Sequence, residues 1–273
     1  MKKWITVCLA AAAVSSYAQT SGWLSNMALA QSVAKANNKL ILVDFWATWC
    51  GPCKKMDMEV WSTDEAAKIK QNFIPLKIDI DAETALATKY GIRSIPNLIL
   101  MDYKGQVIHS YVGYSSKQDL LRFIENIPAD AGKLNGMLGT DSKEMTFAQL
   151  RDLGLAYQNL SKAVAYPSLQ RSFISQSEQS FKKALKKAGS DTESKEVELW
   201  SALGSVIRGS GRKVRAELLE TKAAYSGTPN EALMYYVLLC ACKSEADTEG
   251  YQSALASLKA LPNSTALAQL AEE

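Results

Sequence analysis

The chain has 273 residues, 47% hydrophobic and 22% charged, with 31 basic side chains against 28 acidic ones. That length leaves room for two compact domains. A formal charge of +3, nearer zero still once an N-terminal leader carrying Lys2 and Lys3 is removed, argues against nucleic acid or an anionic membrane surface as the main partner.

The leader is the first element. Lys2-Lys3 is followed by an apolar run from Ile5 to Val14 and then by Ser16-Tyr17-Ala18, the three-part order of a secretory signal peptide cleaved after Ala18. The run falls short of the roughly 20 residues needed to span a bilayer. Cys8 has no small residue just before it, which argues against lipoprotein processing there. Residues 1–18 are therefore expected to be a signal peptide. The mature chain is expected to be periplasmic, with secretion as the alternative, in a compartment where disulfides persist.

Residues 26–37 show helical spacing through Met27, Ala30, Val33 and Ala34, and stop at Asn37-Asn38. Leu40 to Ala47 is a continuous apolar run with Asp44 inside it, the pattern of a central strand buried on both faces. It leads into Trp49-Cys50-Gly51-Pro52-Cys53. The next helix should start near Pro52, which tolerates the first turn because its missing N–H would have no partner there. A helix N-terminus carries partial positive charge and stabilises a thiolate on Cys50. The three-residue spacing brings Cys53 to the same helix face, within reach of a disulfide. A structural zinc site would need four ligands, and the single histidine, His109, lies far along the chain. A plain structural disulfide would leave the strand-to-helix position unexplained. The pair reads as a redox-active dithiol.

The Cys50 helix should reach Val60-Trp61, with Ser62 or Thr63 capping a fresh start at Asp64-Glu65. Phe73–Ile80 reads as a second strand and Glu83–Tyr90 as a short helix. Asn97–Asp102 and Gln106–Tyr111 form a hairpin around Tyr103-Lys104-Gly105. Ser116–Ile127 is an amphipathic helix with Leu120, Leu121, Phe123 and Ile124 inward. Strands alternating with helices, then a hairpin and a helix, make an α/β domain that ends near Pro128.

Residues 26–127 resemble the thioredoxin family. The resemblance rests on Val-Asp-Phe-Trp-Ala-Thr-Trp-Cys-Gly-Pro-Cys-Lys at 43–54, Lys77-Ile78-Asp79, and Tyr90-Gly91-Ile92-Arg93-Ser94-Ile95-Pro96, with Gly105 and Gly113 in the expected turns. It implies a central mixed sheet flanked by helices, no cofactor beyond the Cys50–Cys53 disulfide, and no metal. It also implies that Asp44 is buried behind Cys53 with Lys77 as its partner, and that Ile95-Pro96 is cis. Trp49, Gly51, Pro52, Ile95 and Pro96 would form the substrate surface. Two positions depart from the usual pattern: Asn97 stands where threonine is common, and Met58 where a kink-forming proline is common. Both resemble the secreted thioredoxin-like branch.

The desolvated surroundings of Asp44 are expected to raise its pKa, so that it can take the Cys53 proton; a solvated strand-end aspartate is the plainer alternative. Cys240 and Cys242 lie in a helical apolar run, on different helix faces, and read as buried inert thiols rather than a redox relay. His109 is given no role.

After Ala129 the pattern changes. Residues 129–144, with Gly132, Gly136 and Gly139, read as a linker. Helical periodicity then covers 146–165, 167–188, 193–208, 212–225, 229–243 and 248–260, so 145–273 is expected to be an all-helical domain. Trp200-x2-Leu203-Gly204-x2-Ile207 with Ala216, Ala223 and Pro229 resembles a tetratricopeptide repeat, with looser copies at Leu153-Gly154-x2-Tyr157 and Tyr251-x2-Ala254. An ordinary helical bundle remains the alternative.

The expected activity is reduction of protein disulfides by an exported oxidoreductase, re-reduced by a membrane electron donor, with a protein partner on the helical half. Disulfide oxidase or isomerase activity, or an adaptor role, are the alternatives.

Overall fold

The computed structural model describes residues 22–262 and 264–272, so the expected leader, residues 1–18, lies outside the described residues. Helix α1 (Met27–Ala36) is capped by Asn26, whose Oδ1 accepts the Leu29 N–H at 2.9 Å. It buries Ala30 and Ala34. Strand β1 (Leu40–Trp46) follows, buried along almost its whole length. It lies between β2 (Phe73–Asp79), to which it is parallel, and β3 (Asn97–Met101), to which it is antiparallel. Strand β4 (Val107–Val112) completes a mixed sheet of order β2-β1-β3-β4. Pro75 is tolerated inside β2 because β2 is the edge strand; there the Leu24 N–H donates to the Pro75 carbonyl at 2.9 Å.

Helix α2 (Gly51–Met56) runs into a π-turn, Asp57–Trp61. After it come α3 (Asp64–Ile69), a 3-10 turn (Lys70–Asn72), α4 (Thr84–Lys89) and α5 (Lys117–Glu125). The hairpin between β3 and β4 turns at Gly105, whose φ of +83° is open to glycine and whose Cβ, if present, would fall 2.7 Å from the Tyr90 hydroxyl. Helix α5 is capped by Ser116 and buries Leu120, Phe123 and Ile124.

The segment expected to be a linker is partly helical. Helix α6 (Gly132–Met137) occupies its centre, and Ala131, Leu134 and Leu138 are buried. Three glycines in that stretch suggest loop, but burial of the interleaved apolar residues prevails. The chain then folds as α7 (Phe147–Lys162), α8 (Pro167–Leu185), α9 (Asp191–Ile207), α10 (Gly211–Thr221), α11 (Glu231–Ser244), α12 (Thr248–Lys259) and α13 (Thr265–Glu272). Six of these match expected helices; α13 was not foreseen. Neighbours in sequence pack on each other, and α7 on α9, α9 on α11 and α11 on α13 also touch. A capping box closes the start of α7, Thr146 and Gln149 each satisfying the other's backbone N–H.

One apolar core runs from Trp23 through the sheet into α7, α8 and the start of α9 at Val197, and a second, from Leu199 to Ala271, is built by the rest of α9 and α10–α13. Helix α8 lies along β4: Gln176 Nε2 donates to the Val107 carbonyl at 2.9 Å, and His109 Nδ1 lies 2.8 Å from Ser172 Oγ. Tyr166 packs on Phe123, with ring centroids 5.5 Å apart. His109, given no role above, is thus a buried contact between the halves, and burial, with Arg171 nearby, pushes its pKa down to about 4.

That shift has a defined sign. Between the ordinary histidine value near 6.5 and about 4, the unfolded chain binds a proton that the folded chain refuses. Stability is therefore whole above pH 6.5 and falls as the pH drops toward 4, by roughly 3 kcal/mol for this group. Urea unfolding of the native chain and of His109→Gln should diverge in that window, with the variant losing less. Parallel curves would remove His109 as the cause.

Candidate active site

The site forms where β1 ends and α2 begins. Cys50 is the N-cap of α2, and its Sγ accepts the Cys53 backbone N–H at 3.1 Å. A cysteine in that position receives the field of the helix N-terminus on its sulfur. Gly51 and Pro52 make the first turn and are exposed. The Cys50 and Cys53 sulfurs are joined in a disulfide, with their Cα atoms 5.3 Å apart. Both residues are enclosed, 3% and 2% exposed, by Ala47, Trp46, Ile80 and Ile95.

The surrounding surface is assembled from other loops. Ile95-Pro96 is cis, and the Pro96 carbonyl accepts the Gly113 N–H at 2.8 Å. Ile95 touches the cysteine cluster and is partly exposed. Trp49, 65% exposed, is held by its indole N–H, which donates to Asp81 Oδ2 at 2.9 Å. Asn97, one of the two departures from the family pattern, is turned inward. It is buried and accepts from Ser110 Oγ at 3.0 Å, so it ties the hairpin together.

Asp44 lies wholly buried in β1. The parallel register sets Lys77 beside it, with Nζ 3.7 Å from Asp44 Oδ2, an ion-pair distance beyond hydrogen-bond length. Burial pushes the Asp44 carboxyl up to about 7, against the pull of the Lys77 charge, and Asp57 adds to the rise. With no exposed surface, Asp44 is not the solvated strand-end aspartate of the alternative.

Asp57 was not singled out from the sequence. It opens the π-turn one helical turn after Cys53, and its carboxylate accepts a hydrogen bond directly from Lys77 Nζ. Its four-residue spacing from Cys53 was the available signal. Trp61, from the same π-turn, packs edge-on against Trp23 with centroids 4.9 Å apart. These residues, with Lys70, line a groove of about 590 Å³ that reaches Asp57 and Lys77.

Cys240 and Cys242 are unbonded, the first partly and the second fully buried, and burial raises both thiol pKa values. Among the described residues, no group of three or more His, Cys, Asp or Glu side chains could hold a metal ion. No helix among them is long and apolar enough to cross a membrane.

The thioredoxin family model matches residues 23–126 and stops before the helical half. A thioredoxin of Bacillus subtilis is 35% identical over 91 residues, which cover 33% of this chain and 85% of that protein. One from Staphylococcus aureus is 37% identical over 94 residues, covering 34% of this chain and 86% of its own length. A crystal structure of a thioredoxin from Nicotiana alata is 28% identical, spans 40% of this chain and 94% of that one, and superposes with a TM-score of 0.32. Identity of 35% over 85% of the Bacillus subtilis thioredoxin and 37% over 86% of the Staphylococcus aureus one, with a bonded Cys50–Cys53 pair at the helix N-cap, makes the chain a member of the thioredoxin family, an oxidoreductase that works through a cysteine pair.

Proposed function

We propose that this chain is an exported protein-disulfide reductase acting in the periplasm. The observation that carries the reading is the Cys50–Cys53 pair at a helix N-cap, with a buried carboxyl of raised pKa on the strand that feeds it. In the reduced protein the Cys50 thiolate attacks a client disulfide, forming a Cys50–client bond as one client thiolate leaves. Cys53 gives its proton to Asp44 and attacks the Cys50 sulfur, closing the Cys50–Cys53 bond and expelling the second client thiolate. The client gains two electrons and the dithiol loses them. Lys77 holds Asp44, and Trp49, Gly51, Pro52 and Ile95 receive the client as an extended strand, with Pro96 buried behind Ile95 and holding its backbone in place. A membrane electron donor restores the dithiol.

The helical half supports a second part of the proposal. Alternate helices stack on each other while neighbours pair, as in helical-hairpin repeats, which offer extended surfaces to protein partners. An adaptor role would make that surface the main function and the dithiol secondary.

The reduction potential of the Cys50–Cys53 pair decides the direction. A reductase is expected near thioredoxin's value, about −270 mV, and a value of about −120 to −180 mV would instead mark an oxidase or isomerase. Cys53→Ala, which removes the resolving thiol, should accumulate clients covalently bound to Cys50 in cell extracts. An empty trap would count against a disulfide-reducing role in the cell.

A further inference from the structure

Lys77 serves two carboxylates at once. Its ammonium donates directly to Asp57 and lies at the longer distance of 3.7 Å from Asp44. A lysine committed to Asp44 alone would lie within hydrogen-bond reach of it, and both Asp44 oxygens are buried without a hydrogen-bond partner. Asp57 is the outer member of the triad, its side chain 34% exposed against 1% for Asp44. Its backbone N–H donates to the Cys53 and Lys54 carbonyls, so its position is set by the same helical turn that carries the resolving cysteine.

We infer that Asp57 is a positioning residue for the resolving step: by drawing Lys77 away from Asp44, it leaves the buried acid a strong enough base to take the Cys53 proton. The inference rests on the assignment of Asp44 as that base.

A buried carboxylate paired tightly to an ammonium is a weak base, because its charged form is already stabilised. Asp57 weakens that pairing by competing for Lys77, and its negative charge also opposes ionisation of Asp44. Both effects act in one direction, toward a more basic Asp44. The charged and titratable groups around the acid fit this account. Lys77 comes from β2, Asp57 from the π-turn, and Lys70, next to Lys77, from the 3-10 turn; burial and Lys77 hold the Lys70 amine below its ordinary pKa. The Trp61 indole favours the charged carboxyl. Of these groups only Asp57 adds negative charge beside Asp44. The groove lined by Trp23, Trp61 and Lys70 opens on Asp57 and Lys77, so the pair also faces the solvent to which the proton must finally go.

The test is the pH dependence of resolution, followed from a preformed mixed disulfide on Cys50, in the native chain, Asp57→Asn, Asp57→Glu and Asp44→Asn. Direct titration of the Asp44 carboxyl by carbon NMR accompanies it. For the native chain both midpoints are expected at about 7. In Asp57→Asn both should fall by about one pH unit, and Asp57→Glu should restore them. A fall with Asn and recovery with Glu is not what loss of local packing would give. If Asp44→Asn slows resolution but Asp57→Asn leaves the midpoints in place, this inference is overturned and the base assignment survives. If Asp44→Asn resolves at the native rate, the base assignment itself fails, and the inference goes with it.

Discussion

Asp44→Asn is expected to make the protein slower and more stable at once. A general base contributes about 100-fold or more to a proton-transfer step, so closure of the Cys50–Cys53 bond should slow by about that factor, while attack by Cys50 keeps its rate. The stability gain follows from linkage. The folded carboxyl titrates at about 7, against 3.8 for an ordinary aspartate. Between those values the folded chain holds a proton that the unfolded chain has released, so stability falls as the pH rises through that window. Above pH 7 the burial of a charged Asp44 costs on the order of 4 kcal/mol. Asparagine removes that cost. Urea unfolding of the oxidised proteins should show the variant more stable at pH 8 and the two equal below pH 4. Equal stabilities at both pH values would mean that Asp44 is not desolvated and would remove the basis for its role.

This slope opposes that of His109. From pH 4 to 6.5 the histidine gains stability for the fold while Asp44 loses it, so the native chain should look nearly flat across a window in which each single variant does not. A stability cost at a site poised for chemistry is a common exchange in enzymes. Here it falls on one carboxyl.

Much of the site could be read from the sequence because its parts are local. Cys50, Cys53 and Pro52 lie within one helical turn, and Asp44 sits on the strand that feeds it. Lys77 and the cis Ile95-Pro96 bond were reached by family resemblance, since no local pattern dictates either. Asp57 escaped notice because its partner comes from another element, 20 residues on. The breaks at Pro167, Gly189 and Gly209-Ser210-Gly211 placed the helices well. Composition misled at 129–144, where three glycines outweighed Leu134 and Leu138 in the reading but not in the packing. Docking of α8 on β4 was invisible, because His109 and Gln176 are ordinary strand and helix residues until they meet across the junction.

Gly154→Ala should be among the most destabilising single-methyl additions in the chain. Helix propensity alone favours alanine over an interior glycine by about 1 kcal/mol, and Gly154 lies in the middle of α7. The packing reverses that preference. A Cβ built on Gly154 would stand 2.3 Å from Cε1 and 2.5 Å from Cδ1 of Phe181 on α8, where carbon atoms need about 3.5–4 Å. Phe181 is 1% exposed, so its ring has no solvent to swing into, and the α7–α8 pair would have to part. Overpacking of this kind costs about 1–3 kcal/mol; less the propensity gain, a net loss of about 1–2 kcal/mol lowers Tm by about 2–8 °C in a chain of this size. Phe181→Leu added to Gly154→Ala should recover part of the loss, although alone it would open a cavity; that non-additivity identifies the contact. A neutral or stabilising Gly154→Ala would show that the helices adjust freely. The substitution lies in the helical half, yet α7 and α8 belong to the core that continues under the sheet. Heat should therefore unfold the sheet and the α7–α8 pair of the variant together at the lower temperature, with the Cys50–Cys53 potential unchanged while the chain stays folded.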